Sequence, residues 1–284
     1  MSEWGWRIDT TGWQSVARTD ARRARRTPTI LVLLSITIIT SIGYSIAYTY
    51  VGPSELTFMG FLDGITTLLS FIIPAIGLLL GYKSVAHARN TGSILLALSF
   101  PQSRAGLIIG TVVSRWALLV GAISAGLTLS GAIAAILYGT NGIVAYPLAI
   151  LMTLLYSAAF IGIGVGISTL TTSERWITLS TFGSYFLLVI IWDGLTTAML
   201  LILHRFNFNI LASPPDWTLL FQLLSPESSY NLLLRSSVGI DVAGEYVANT
   251  APTYIGWWIA VGVLIIWTSL PVIFGFYRFQ TADL

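Results

Sequence analysis

Cysteine is absent from the 284 residues, which excludes disulfides, thiolate metal sites and cysteine nucleophiles. Charge is scarce as well: 9% of the residues are Asp, Glu, Lys or Arg, against about 25% in ordinary soluble domains. Histidine occurs twice, as His87 and His204, on segments separated by three long apolar runs, so the pair cannot cooperate at one site. Neither HExxH nor GxSxG occurs, and without such a set of convergent groups the chain does not read as an enzyme.

What fills the chain instead is apolar, with 55% hydrophobic residues. A bilayer core of roughly 30 Å is crossed by about 20 apolar residues in a helix, and six stretches qualify, at about 29–50, 61–82, 106–137, 143–170, 176–203 and 254–277. Backbone groups in lipid must be paired within their own segment, so these spans are helices. The predicted fold is all-α: a six-helix transmembrane domain over 29–277, preceded by a polar segment 1–28 and followed by a short tail 278–284. The first apolar run is long enough to span, which reads as a retained helix rather than a cleaved signal. Arg115 lies well inside the third stretch, so residues 106–115 are expected at or below the headgroups.

Sidedness comes from the basic residues. Of the 14 Lys and Arg, all but Arg205 and Arg235 fall on one side of the six spans, which predicts that both termini and the 83–105 loop are cytoplasmic. In the first segment Trp13, Ala17, Ala21 and Ala24 recur at helical spacing, with Arg18, Arg22, Arg25 and Arg26 elsewhere on the turn. Two readings stand side by side: an interfacial helix held by aromatic rings and anionic headgroups, or a basic flank that only sets topology. A cluster this close to a span stays at the membrane, so nucleic acid is not expected as a partner. On the other side, the 204–253 loop carries Pro214, Pro215 and Pro226, and Trp217, Leu220, Phe221 and Leu224 share one helical face. This predicts a short amphipathic helix on the outer membrane surface. Asp216, Glu227, Asp241 and Glu245 in that loop match no metal-ligand spacing and read as solvated charge,.

Two glycine patterns resemble nucleotide motifs and fail as such. GLLLGYKS (77–84) has Tyr82 where a phosphate loop needs glycine, and Gly77 and Gly81 lie within a span,. GIGVG (162–166) has the wrong spacing for a dinucleotide fingerprint and follows no strand,. Close packing against neighbouring helices explains both. Asp193, in IIWDGL, is the one charge deep within a span. A carboxylate there costs about 2.5–3.5 kcal/mol on insertion scales. It lies either on a substrate path or gating contact, or beside a helix break at Gly194, bonded to a neighbouring Ser or Thr.

The inner segment 82–115 reads YKSVAHARNTGSILLALSFPQSRAGLIIGTVVSR. Ile94, Leu95 and Leu98 form an apolar edge, Gly92 permits close approach, Pro101 turns the chain back to the membrane, and Arg104 offers a planar charged fork,. The segment is a rigid, partly apolar knob suited to a soluble partner. On these residues the chain resembles the permease subunits of the ABC-2 transporter family. Arg89, Gly92, Ser93, Ile94, Leu98, Ser99, Pro101, Ser103, Arg104 and Gly110 match that family's inner-loop pattern. LSPESSYNLLL and FYRFQTADL resemble its outer segment and its ending, and Ala88 replaces the usual acidic residue before Arg89.

The resemblance implies that loop 83–105 is an ATPase-coupling element, with Arg89, Gly92, Ser99, Pro101, Ser103 and Arg104 as its site residues. It implies further that ATP and Mg sit on a partner ATPase subunit while this chain holds no cofactor or metal. It implies a second permease copy and export across the cell membrane. The alternative from another class is a non-transporting membrane anchor or sensor that recruits a cytosolic partner through the same knob.

Overall fold

The computed structural model describes residues 12–82, 84–86, 103–211, 214–239 and 255–280, and among these the regular structure is helical, with no strand. In chain order the helices are α1 (Trp13–Ala24), α2 (Pro28–Val51), α3 (Phe58–Gly81) and α4 (Arg104–Tyr138). A short 3-10 turn (Ile143–Ala145) leads into α5 (Tyr146–Leu170). The fifth apolar stretch is α6 (Glu174–Tyr185) and α7 (Trp192–Leu203), joined through a π-helical segment, Phe186–Ile191. Then come α8 (Asp216–Leu223), α9 (Pro226–Val238) and α10 (Trp257–Gln280).

The six apolar stretches therefore all form helices long enough to cross a membrane. Their starts follow local chemistry. Pro28 occupies the first turn of α2, where its missing N–H costs nothing,. Thr57 caps α3 by accepting from the Gly60 N–H at 3.1 Å, which sets the start at Phe58 rather than at 61 as the hydropathy suggests. Ser103 caps α4 in the same way through the Gly106 N–H at 2.9 Å. The 35 residues of α4 run about 52 Å at 1.5 Å per residue, well over the roughly 30 Å of a bilayer core. The surplus lies at the end that carries Arg104 and Arg115, where α1 packs on it.

The packing has a clear centre. The best apolar window of the α5 span is 67% buried and that of α3 is 61%, whereas α2, the fifth stretch and α10 are 22% buried and keep one face outward. Backbone meets backbone along α5. A Cβ on Gly81 would lie 2.6 Å from the Gly164 carbonyl carbon, one on Gly162 2.3 Å from the Thr268 oxygen, and one on Gly166 2.7 Å from Pro271. GIGVG is thus the seam on which α3 and α10 close, as small residues in membrane helices permit. Pro74 inside α3 cannot donate to the Ser70 carbonyl one turn back,. The buried Tyr156 hydroxyl of α5 donates to that oxygen instead, at 2.9 Å. At the end away from the arginines, Tyr138 donates to the Ser45 carbonyl and Tyr146 to the Leu127 carbonyl, both at 2.6 Å, tying α4 to α2 and α5 to α4.

Candidate functional site

Arg89, Gly92, Ser99 and Pro101 lie outside the described residues; the two ends of their loop are described. At its entry, the N–H groups of Val85 and Ala86 both donate to the Ser168 hydroxyl of α5, at 3.0 and 3.1 Å, and all three residues are buried. Just before them, Tyr82 Oη and Thr178 Oγ1 of α6 are hydrogen-bonded at 2.6 Å. At the exit, Arg104 Nη1 donates to the Phe279 carbonyl at 3.2 Å, and the guanidinium lies over the Phe279 ring, 5.6 Å from its centroid. A cation there offsets the partial negative charge at the C-terminal end of α10. Arg104 is therefore turned toward the bundle, closing the last turn of the sixth span on the first turn of the third.

The second site is at the other end of the fifth stretch. Within the π-helical segment the Leu188 carbonyl accepts from the fully buried Ser225 hydroxyl at 2.9 Å. Ser225 also caps α9, accepting from the Glu227 and Ser228 N–H groups at 3.1 and 3.4 Å. Asp193 is the second residue after the π segment. Its Oδ1 accepts from Gln222 Nε2 of α8 at 3.2 Å and from Ser228 Oγ of α9 at 3.4 Å. Glu227, 8% exposed, accepts from Asn231 Nδ2 at 2.9 Å and lies within electrostatic reach of Asp193.

α8 and α9 form a hairpin that enters the bundle. The last carbonyls of a helix have no full partner within it, and outside groups reach the last three of α8 and that of Leu224 just after it. Trp192 Nε1 donates to the Phe221 and Gln222 carbonyls at 3.3 and 3.1 Å, Ser229 Oγ to Leu223 at 2.6 Å, and Trp267 Nε1 to Leu224 at 2.7 Å. The Trp192 ring stacks on Phe221 at 5.2 Å, and Tyr230 stacks on Tyr156 at 4.3 Å with its hydroxyl hydrogen-bonded to Thr153. Tyr156 and Trp267 are each ten residues along their helices from the end away from the arginines, about 15 Å at 1.5 Å per residue. That is half the bilayer core of roughly 30 Å.

The short amphipathic helix expected within the 204–253 loop thus exists, as Asp216–Leu223, but as one arm of an inserted hairpin rather than flat on the surface. Of its expected apolar stripe, Trp217, Leu220 and Leu224 are exposed and Phe221 is half-buried under Trp192, while Thr218, Leu219, Gln222 and Leu223 are buried against the bundle. The break near Asp193 falls at 186–191, ahead of Gly194. Asp193 itself remains exposed on the surface of the single chain.

Sequence reasoning brought Ser103, Arg104 and Asp193 forward, missed Ser168, Tyr82, Gln222 and Ser225, and misread Glu227 as solvated charge, whereas it is buried and bonded to Asn231. Of these, only Ser225 and Glu227 carried a signal: Ser-Pro-Glu is a helix start, with the cap, the proline and the first-turn acid in order. Among the described residues no group of three or more His, Asp or Glu could hold a metal ion.

Comparison with known proteins adds to this geometry. Residues 14–284 match the family described as ABC-2 family transporter protein. Over 192 residues the chain is 27% identical to the Probable ABC transporter permease protein NosY of Pseudomonas aeruginosa, covering 64% of this chain and 66% of that protein. Over 212 residues it is 26% identical to the protein of the same name from Stutzerimonas stutzeri, covering 73% of this chain and 69% of that one. The chain spans about two thirds of the length of these curated relatives.

Proposed function

This chain belongs to the ABC-2 transporter family, and we propose that it is the permease of an ATP-driven exporter in the cell membrane, coupled through loop 83–105 to an ATPase on a separate chain. One observation carries the coupling: the loop is anchored at entry on Ser168 of α5 and at exit on Phe279 of α10, the two helices that share the glycine seam. A displacement of the loop is therefore handed at once to α5, at the centre of the bundle, and to α10 packed on it. Tyr82 and Thr178 extend the connection to α6, the inner half of the fifth span. In this reading Arg89, Gly92, Ser99 and Pro101 shape the knob that seats on the ATPase, while Ser103 and Arg104 pass its motion on. ATP and Mg bind on the partner, and the arginine-rich end with both termini is cytoplasmic.

Asp193 supports a second permease copy. It lies about half-way across the bundle yet is exposed on the single chain, and a carboxylate at that depth does not face hydrocarbon. Pairing with another copy turns this face onto an enclosed aqueous path. The fifth span then gates that path by moving against the α8–α9 hairpin.

The full chain, purified in mild detergent together with whatever it retains, tests the proposal. A nucleotide-binding protein is expected to copurify, and Arg104→Ala is expected to leave that complex intact while transport per ATP hydrolysed falls about tenfold, a coupling loss of about 1.4 kcal/mol. A stable partner without ATPase activity would overturn the proposal in favour of a membrane anchor, and unchanged coupling in Arg104→Ala would overturn the route through α10.

A further inference from the structure

We propose that the outward face of α1 is a docking surface for anionic phospholipid headgroups, and that its occupancy is passed to α4 through Asp20. The proposal is independent of how the ATPase is coupled. α1 has two unlike faces. Trp13, Val16, Ala17, Asp20 and Ala24 are turned inward, and the contact with α4 is close: a Cβ on Gly110 would lie 2.7 Å from Val16 Cβ and 2.8 Å from the Trp13 carbonyl oxygen. Asp20 is the one acid in the helix. Its carboxylate accepts from Arg115 Nη2 at 3.0 Å and from the Ser114 hydroxyl, with 21% of the Asp20 side chain and 12% of the Arg115 side chain exposed.

The other face therefore has no negative charge of its own. Arg18, Arg22, Arg23, Arg25 and Arg26 are all exposed. Arg18 and Arg22 stand four residues apart on the helix, a spacing at which like charges repel. The helix dipole accounts for Arg22 and Arg23 in the last turn,. It does not account for Arg18 in the middle of the helix. Such a face is relieved by an external anion.

Position selects the anion. Three residues separate the end of α1 from Pro28, where the first span begins, so the arginines stand at headgroup level, within a Debye length of about 8–10 Å of the lipid phosphates. Guanidinium pairs with phosphate oxygens in a two-pronged fork. A phosphatidylglycerol headgroup supplies that charge, and a zwitterionic phosphatidylcholine headgroup does not. Lipid bound there holds α1, and through Asp20, Ser114 and Arg115 it holds the start of α4, where the 83–105 loop returns to the bundle.

The full chain in dodecyl maltoside micelles, titrated with dioleoylphosphatidylglycerol or dioleoylphosphatidylcholine and read by native mass spectrometry, tests the surface. The wild type is expected to retain phosphatidylglycerol in preference, and raising the salt from about 0.05 M to about 0.5 M is expected to abolish the preference. The R18Q/R22Q variant, which keeps Arg23, Arg25 and Arg26 for topology, is expected to bind phosphatidylglycerol about 25-fold more weakly, at about fivefold per arginine, with its unfolding midpoint unchanged. Equal retention of the two lipids by the wild type would overturn the proposal. So would a phosphatidylglycerol preference that survives both R18Q/R22Q and high salt, or a variant that keeps the lipid preference and loses a protein partner, which would make this face a protein dock.

Discussion

The seam between α5 and α10 and the seam between the fifth span and the α8–α9 hairpin both bury helices against each other, by opposite means. The first is built from what its residues lack. Gly162 and Gly166 have no side chain, so the backbones of Thr268 and Pro271 close onto them, and dispersion over a long, rigid contact holds the pair. The second is built from polar side chains reaching across. Ser225 bonds Leu188, Trp192 bonds Phe221 and Gln222, and Gln222 and Ser228 bond Asp193. A glycine seam has no alternative arrangement nearby, whereas a set of directional bonds can be exchanged one at a time. The contrast suits a fixed block that receives the stroke of a motor and a movable one that gates.

If that contrast is real, the glycine seam fails outright when crowded. In Gly162→Val the new Cβ would sit 2.3 Å from the Thr268 carbonyl oxygen, and because the obstacle is backbone the two helices must separate. Overpacking of this kind costs about 3 kcal/mol. The expected result is loss of monodisperse protein on size exclusion, or a collapse of the thermal midpoint. Unchanged stability would mean that α5 and α10 slide freely and that the first seam is no more rigid than the second.

Ser225→Ala sharpens the comparison from the other side. It removes the helix cap of α9, typically worth about 1 kcal/mol, together with the hydrogen bond to the Leu188 carbonyl, for a total of about 2 kcal/mol. The bundle is expected to stay folded, while amide exchange accelerates within 186–191 and in the first turn of α9 and is unaltered along α5. Acceleration spread evenly over all helices would show that the hairpin is not a separate unit.

The sequence exposes these two regions unequally. Hydropathy needs only length to reveal a span, and the spacing of Gly162, Gly164 and Gly166 already announces close packing. The hairpin is hidden because its outward stripe, Trp217, Leu220 and Leu224, looks the same whether the helix lies on a membrane or inserts into it. Its inward side, Gln222, Ser225 and Ser228, is polar and so resembles a solvated loop. FLLVII carries no mark of a π turn, and the hydroxyl that bonds its Leu188 carbonyl, that of Ser225, is 37 residues away. The loop anchors are hidden for the same reason, since Ser168 and Thr178 are 82 to 96 residues from the groups they bind. Arg104 was legible as an important residue, but the partner it takes, the end of α10, emerges only from the folded bundle.

The smallest expected change in stability separates a gate from a structural tie. Asp193→Asn keeps an oxygen that can accept from Gln222 and Ser228, so the contacts of α7 to α8 and α9 survive and only the negative charge is lost. Because the side chain is exposed on the single chain, the thermal midpoint is expected to shift by less than the equivalent of about 0.5 kcal/mol. Insertion should be unimpaired, since a neutral amide is less costly in the bilayer than a carboxylate. Transport is expected to fall about tenfold, which corresponds to about 1.4 kcal/mol of lost interaction with the substrate or with the moving hairpin. A variant that transports normally while keeping its midpoint would show that the charge does nothing beyond holding the hydrogen bonds, and Asp193 would then be a structural tie between the fifth span and the hairpin.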